Sequence, residues 1–132
     1  METDREILGK IRVKLAVSTD APDTAFTAKV MEVLPDGTAY NIRGTIATVL
    51  AQHGSYTPGE TVELTLDMWE INWVLRKGSR LRVDVSSSDF PQYAAHPNTA
   101  EPWYEVTESR PAHQTIHCGE GLSTIAIPFR SV

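Results

Sequence analysis

The chain has 132 residues and a formal net charge of −5, with 41% hydrophobic and 22% charged residues. This size and composition fit one globular domain. Because Lys and Arg are interspersed among more numerous acids, binding to a nucleic-acid backbone is not expected. One cysteine, Cys118, excludes an intrachain disulfide. No apolar run is long enough to span a membrane, and the acidic start over residues 1–6 is unlike a signal peptide, so a cytoplasmic location is expected.

Alternation of apolar and polar residues predicts half-buried strands from the start of the chain. Residues 1–8 are interpreted as a polar lead-in. Strict alternation over 11–17 predicts the first strand, with one solvent-facing side. The turn-forming stretch 18–24 follows, and residues 26–30 predict the second strand. That second pattern slips at Met31, which indicates a β-bulge there.

A Pro-Asp-Gly turn at residues 35–37 separates the second strand from an apolar, β-branched region. Residues 38–51 favour two short strands or one bent strand, and a short helix over 45–52 is the alternative. A loop over 53–60 then leads into strictly alternating residues 62–68, which predict a further strand.

A strand over 79–88 and the irregular segment after it organise the rest of the chain. The predicted inward residues of this strand are Leu81, Val83 and Val85. The sheet must end near Pro91, because proline cannot donate to a ladder. Residues 89–111 contain four prolines, and a loop that long in a compact domain is usually functional or covers a neighbour. Strands over about 113–118 and 123–130 close the chain. Pro128 indicates that the last one is an edge strand or that its position 128 faces away from the partner strand.

These elements amount to eight or nine strands with no long amphipathic helix. Frequent turn signals between short strands are typical of an antiparallel β-sandwich or barrel. The sequence therefore predicts an all-β fold in a single domain over residues 1–132.

The residues that usually carry catalysis do not form a recognisable set. There is no G-x-S-x-G motif, and Ser86–Ser88 at a strand end fit backbone capping. On a strand, His113 and His117 share a face but lie about 13 Å apart, too far to share one metal ion. Asp20 and Asp23 fit backbone capping in their turn, with a structural Ca²⁺ as the alternative. No catalytic residue, metal or cofactor is expected.

The irregular segment contains the candidate contact residues, which are aromatic or carry an amide. They are Phe90, Gln92, Tyr93, Asn98 and Trp103. Two interpretations remain open for them: packing of the loop or of a partner surface, and a platform for sugar binding. Trp69 and Trp73 are expected in the core.

Several stretches resemble the C-terminal domain of Xaa-Pro dipeptidyl-peptidase-like serine hydrolases, a group that includes the cocaine esterase and α-amino-acid ester hydrolase types. They are LAVSTDAPDTAFTAK at 15–29, PDG at 35–37, LRVDVSSSDFP at 81–91, HPNT at 96–99, QTIH at 114–117 and IPF at 127–129. The resemblance spans about residues 7–130. It implies a jelly-roll β-sandwich, similar to galactose-binding domains, that is non-catalytic and appended to an α/β-hydrolase domain carrying the Ser-His-Asp triad.

The resemblance also implies how such a domain works. It would pack on the catalytic domain of the same polypeptide, a dipeptidyl-peptidase or esterase, and help to shape substrate access or oligomer contacts. We therefore expect this chain to be part of a larger serine hydrolase, and a homo-oligomer remains open. Because a fold does not settle a function, a free-standing carbohydrate-binding module is the alternative.

Overall fold

The computed structural model describes residues 1–131, which form ten β-strands and one short helix. In chain order the elements are β1 (Arg5–Gly9), β2 (Arg12–Thr19), β3 (Ala25–Val33), β4 (Ala39–Thr48), α1 (Val49–His53), β5 (Val62–Asp67), β6 (Ile71–Leu75), β7 (Arg80–Ser86), β8 (Gln114–His117), β9 (Thr124–Ala126) and β10 (Phe129–Ser131). All strand pairings are antiparallel. The all-β prediction is confirmed, with ten strands instead of eight or nine. Within the described residues, no helix is long and apolar enough to cross a membrane.

One layer of the fold consists of two sheets that adjoin end to end, one around β1 and the other around β2. Together they form a long, bent sheet. On one side β6 pairs with β1 and β5 pairs with β2, while on the other β10 pairs with β1 and both β8 and β9 pair with β2. Hydrogen bonds continue across the bend: the Met68 N–H donates to the Ile11 carbonyl at 2.9 Å and the Leu8 N–H to that of Pro128 at 3.1 Å. Gly9 has φ 124° at this point, a conformation that a side chain would strain.

Residues 5–9 form β1, so the prediction of a polar lead-in over residues 1–8 was wrong. Ile7 is fully buried in the core and lies opposite Trp73 of β6. The Arg5 guanidinium lies 5.5 Å from the centre of the Phe129 ring in β10. Because Ile7 is the only residue of β1 that reaches the core, its alternation is too short to detect, and the strand depends on its two neighbours.

The second layer is a three-stranded sheet in the order β4-β3-β7. The core lies between the layers and comes mainly from alternate residues of β2, β3 and β5. Its buried members are Ile7, Ile11, Val13, Leu15, Val17, Phe26, Ala28, Val30, Val49, Leu64, Leu66, Met68 and Leu75. This arrangement is consistent with a β-sandwich, whereas the jelly-roll connectivity and the likeness to galactose-binding domains stay predictions.

The predicted bulge at Met31 is confirmed, but its extra residue belongs to β4. Val30 pairs with Arg43 and the next residue, Met31, pairs with Asn41, which leaves Ile42 without a partner. Residues 39–48 therefore form one bent strand. The helical alternative over 45–52 was wrong for residues 45–48, because helix α1 begins only at Val49.

The strand predicted over 79–88 is β7, an edge strand of the second sheet. Leu81 and Val85 pack against the core, but Val83 is exposed. Val83 lies opposite the buried Val30, so it points to the same side of the sheet as Val30, but at an edge strand. The predicted closing strand over 123–130 is divided into β9 and β10. Pro128 lies between them at a sheet edge, as predicted, and Val132 lies outside the described residues.

Candidate functional site

The irregular segment 89–111 begins on the outer face of the second sheet. The Asp89 carboxylate is paired with Lys29 of β3 at 2.9 Å, and both side chains are largely buried. The Tyr93 N–H donates to the Asp89 carbonyl at 3.2 Å, and the Tyr93 hydroxyl lies 3.5 Å from the Gly44 carbonyl in β4. Residues 89–93 are thus fixed across β3 and β4.

Asn98 fixes the middle of the segment to the start of β3. Its Oδ1 accepts a hydrogen bond from the Thr24 hydroxyl at 2.7 Å, and its Nδ2 donates to the Arg110 carbonyl at 2.8 Å. The Gln114 amide also donates to the Thr24 hydroxyl oxygen. Asn98 has φ 63°, a left-handed conformation that asparagine tolerates better than most residues. The structure therefore gives this candidate contact residue internal partners.

Asp23 and His96 make a second internal connection. The His96 Nε2 lies 3.4 Å from the Asp23 Oδ2. The Asp23 Oδ1 accepts hydrogen bonds from the N–H of Thr24 at 2.8 Å and of Leu50 at 3.0 Å. Burial raises the pKa of Asp23, but the hydrogen bonds from His96 and Leu50 outweigh it and hold this pKa below its ordinary value. Asp23 therefore joins the long segment to the first turn of α1.

The other predicted turn aspartate, Asp20, also binds within the chain. It accepts the His113 backbone N–H at 2.8 Å and contacts the His113 ring at 2.8 Å. Asp23 caps the backbone of its own turn at Thr24, as predicted, whereas the N–H that Asp20 accepts belongs to His113, outside the turn. Within residues 1–131, no group of three or more His, Cys, Asp or Glu side chains is placed to hold a metal ion.

Trp69 is 78% exposed, so its predicted place in the core was wrong. Arg12 pairs with Asp67 and Gly9 pairs with Ile71. Residues 10 and 11, which connect β1 to β2, therefore face three residues, 68–70, which connect β5 to β6. In this bulge Met68 takes the buried position, and Trp69 points outward because consecutive side chains face opposite sides. Trp73, also predicted in the core, is partly buried against it.

Trp69 lies in an open groove of about 320 Å³. We call this the Trp69 groove. Its lining comprises Lys29 of β3, residues 41–44 of β4, Trp69, and Gln92 with Tyr93 from the long segment. Two of the predicted contact residues, Gln92 and Tyr93, therefore meet in one place. Sequence patterns did not indicate Trp69, Asn41 or Arg43 here. The slip at Met31 signalled the bulge that places Asn41 and Arg43, whereas the separate bulge over 68–70 places Trp69.

The remaining exposed aromatic residues lie outside this groove. Phe90 is 75% exposed at the start of the long segment and Trp103 is 84% exposed further along it. Trp103 and Tyr104 pack edge to face, with ring centres 5.9 Å apart. Trp103 and Tyr93 thus do not share a pocket, and the perpendicular rings of Trp103 and Tyr104 form no flat platform.

Comparison with known families decides the assignment. Residues 1–124 match the X-Pro dipeptidyl-peptidase C-terminal non-catalytic domain. The chain belongs to this family. The resemblance found in the sequence is therefore confirmed, and the chain is a non-catalytic C-terminal domain of the type found in these hydrolases and in cocaine esterase-like (CocE) hydrolases.

Individual relatives agree with this family. Cocaine esterase from Rhodococcus sp. (strain MB1 Bresler) is 37% identical over an alignment of 132 positions, which covers 94% of this chain and 23% of that protein. An aminopeptidase from a marine sediment Thaumarchaeota archaeon superposes with a TM-score of 0.88 at 21% identity, over 99% of this chain and 24% of that one. An α-amino-acid ester hydrolase gives a TM-score of 0.87 at 22% identity, over 98% and 24% of the two chains.

A CocE/NonD family hydrolase from Staphylococcus aureus has a TM-score of 0.74 at 18% identity, over 99% of this chain and 29% of that one. At these identities the solved structures establish the fold alone. The chain thus spans about a quarter of the length of the relatives that it matches.

Proposed function

We propose that this domain packs against an α/β-hydrolase catalytic domain of the same polypeptide and helps to shape access to its active site. Two facts support the attachment. The family is a non-catalytic C-terminal domain, and in cocaine esterase the matching region is 23% of the chain. The remaining three quarters have room for the catalytic machinery. The parent activity that we propose is serine hydrolysis of a peptide or ester substrate.

The location of the packing surface is proposed from one observation, the solvent exposure of the aromatic residues on segment 89–104. Phe90 and Trp103 are at least three-quarters exposed, yet the segment between them is fixed by Asp89, His96 and Asn98. Aromatic residues are enriched at protein–protein interfaces relative to the rest of the surface. A segment that is already ordered loses less conformational entropy on binding. Phe90 and Trp103 are therefore proposed to contact the catalytic domain.

The test uses the full-length protein with Phe90→Ala and Trp103→Ala, separately and together. Leu122→Ala is the control, because Leu122 is exposed and lies on the turn between β8 and β9. Truncation of a central aromatic residue of an interface costs about 2 kcal/mol or more. We expect the aromatic variants to unfold in two separate thermal transitions and to lose activity, and the control to behave as the parent. Unchanged assembly and activity in the double variant would refute the proposal.

A second copy of the chain is the alternative partner for segment 89–104, and it must be distinguished from the catalytic domain. Analytical ultracentrifugation of the full-length protein measures this self-association directly. If Trp103→Ala converts a dimer into a monomer and leaves the domains associated, the segment contacts a second copy and not the catalytic domain.

Carbohydrate binding is a second candidate, favoured by one feature. The exposed Trp69 indole lies beside the amide groups of Asn41 and Gln92 in one groove, and sugars bind such combinations of ring and amide. Titration with a panel of oligosaccharides, followed by tryptophan fluorescence, tests it. A saturable change that is lost in Trp69→Ala but kept in Trp103→Ala would support the module. No change across the panel would count against it.

A further inference from the structure

Two independent irregularities of the backbone meet in the Trp69 groove. Ile42 is the unpaired residue of the bulge in β4, and Trp69 lies in the bulge between β5 and β6. Bulges redirect side chains and are over-represented next to functional sites. The ordered turn that carries Gln92 and Tyr93 supplies the third side of the groove. Three separate parts of the chain thus bring polar and aromatic groups to one surface.

The charge of the groove differs from that of the chain. The sequence has 17 Asp and Glu against 12 Lys and Arg, yet the lining includes Lys29 and Arg43 and no acidic residue. Lys29 is already paired with Asp89. Arg43 makes one long hydrogen bond of 3.4 Å, to the Glu70 backbone carbonyl. Among the described residues, no carboxylate oxygen lies within 4.0 Å of the Arg43 guanidinium nitrogens.

Two of the other arginines, Arg12 and Arg82, have the paired carboxylate that Arg43 lacks. Arg12 binds both carboxylate oxygens of Asp67, at 2.5 and 2.7 Å. Arg82 binds those of Asp84 at 2.7 and 2.9 Å. A guanidinium presents a planar fork of donors that matches a carboxylate. In Arg43 most of that fork is free, beside an exposed indole.

We infer that the Trp69 groove receives a segment of the catalytic domain that carries an Asp or Glu side chain, which pairs with Arg43 while the adjacent chain packs on Trp69. This inference rests on the proposed function and names the chemistry of its partner. Charge complementarity favours a carboxylate over a neutral sugar. The groove also lies next to the proposed packing surface in the chain, since only Pro91 separates Gln92 from Phe90. In this proposal, the bound segment belongs to the part of the polypeptide that corresponds to the three quarters of each relative outside the matched region.

The direct test is zero-length cross-linking with a carbodiimide, which joins an amine only to a carboxylate in contact with it. The full-length protein carries Arg43→Lys, and the control carries Arg80→Lys. Arg80 lies on β7, at the opposite edge of the same sheet, and is exposed. Coupling of Lys29 to Asp89, which lie 2.9 Å apart, serves as an internal positive control in both samples.

We expect mass spectrometry to find a cross-link from position 43 to an Asp or Glu of the catalytic domain, and none from position 80. A cross-link from position 43 only to carboxylates of this domain, or to a second copy of the chain, would overturn the inference. So would its absence while Lys29 couples to Asp89.

A second measurement separates this inference from the proposed function. Arg43→Glu would place two carboxylates next to each other and weaken the contact between the domains. In limited proteolysis of the full-length protein, we therefore expect the junction between the domains to be cut at least about tenfold faster in Arg43→Glu than in Arg80→Glu. If Phe90→Ala and Trp103→Ala separate the domains but Arg43→Glu does not, the packing proposal stands and the carboxylate partner is refuted. If none of them has an effect, both are refuted.

Discussion

Glu32 of β3, 1% exposed, accepts a hydrogen bond from the indole Nε1 of Trp73 at 2.9 Å. The two residues belong to opposite layers of the sandwich, so this bond crosses the core. The same carboxylate accepts the Arg76 N–H at 3.0 Å and the Ser79 hydroxyl at 2.7 Å. A buried carboxylate with three donors thus fixes the turn from β6 to β7 onto the second sheet.

Removal of this carboxylate should destabilise the domain strongly. Glu32→Ala removes the acceptor of the Trp73, Arg76 and Ser79 donors, of which Ser79 is fully buried. We expect a loss of about 3 kcal/mol in the free energy of unfolding. Glu32→Gln keeps one acceptor oxygen and should lose less. Urea unfolding measures both, with the exposed Glu120→Ala as control. A loss below about 1 kcal/mol for Glu32→Ala would contradict this role.

The domain should lose stability in acid through Asp23 and Glu32. Burial raises each pKa, but hydrogen bonds outweigh it: those of His96 and Leu50 at Asp23, and those of Arg76 and Ser79 at Glu32. A pKa that is lower in the folded state gives stability that is complete above the unfolded value, about 4, and is lost as the pH falls through the folded value.

Urea midpoints measured from pH 7 down to pH 3 test this dependence. We expect a decline that begins near pH 4 in the parent and is shallower in Asp23→Asn, which has no charge to lose at that site. Equal slopes for parent and variant would show that Asp23 makes no contribution.

Asn98 should prove structural. Asn98→Gly keeps the left-handed backbone but loses the bonds to Thr24 and Arg110, whereas Asn98→Ala loses those bonds and strains the backbone as well. We expect losses of about 1 and about 2 kcal/mol respectively, with faster proteolysis inside residues 89–111. If Asn98→Ala were as stable as the parent, Asn98 would be free to act as a surface contact residue after all.

The three tryptophans should differ in their access to solvent. Trp69 and Trp103 are exposed, whereas Trp73 is partly buried and bonded to Glu32. In variants that retain one tryptophan each, the others being Phe, iodide should quench Trp69 and Trp103 far more than Trp73. In the full-length protein, the proposed packing should reduce the quenching of Trp69 and Trp103. Strong quenching of Trp73 would place it outside the core.

Alternation in the sequence predicted the strands whose faces are chemically distinct. The patterns over 11–17 and 62–68 became β2 and β5 within two residues at each end, because each strand has one buried and one exposed side. β1 escaped detection because its single core residue, Ile7, makes no pattern. Trp69 was misplaced because its direction depends on the extra residue in its own segment, 68–70, and apolar character does not report that residue.

The candidate site was predicted in part. Gln92 and Tyr93 share a groove, but the role of Asn98 depends on Thr24 and Arg110, which lie far from it in sequence. Short blocks of sequence identified the family, since they are specific in combination. The packing role of Phe90 and Trp103, the single-domain limits and a cytoplasmic location stay predictions.

The bent sheet constrains the order in which this domain can be made. β1, near the start of the chain, is flanked by β6 on one side and on the other by β10, which ends at Ser131. During synthesis on the ribosome, one edge of β1 and β2 therefore stays unpaired until β8, β9 and β10 have left the exit tunnel. Pairings between such distant segments form slowly and expose strand edges meanwhile. The sheet can close only after residues 129–131 have been translated.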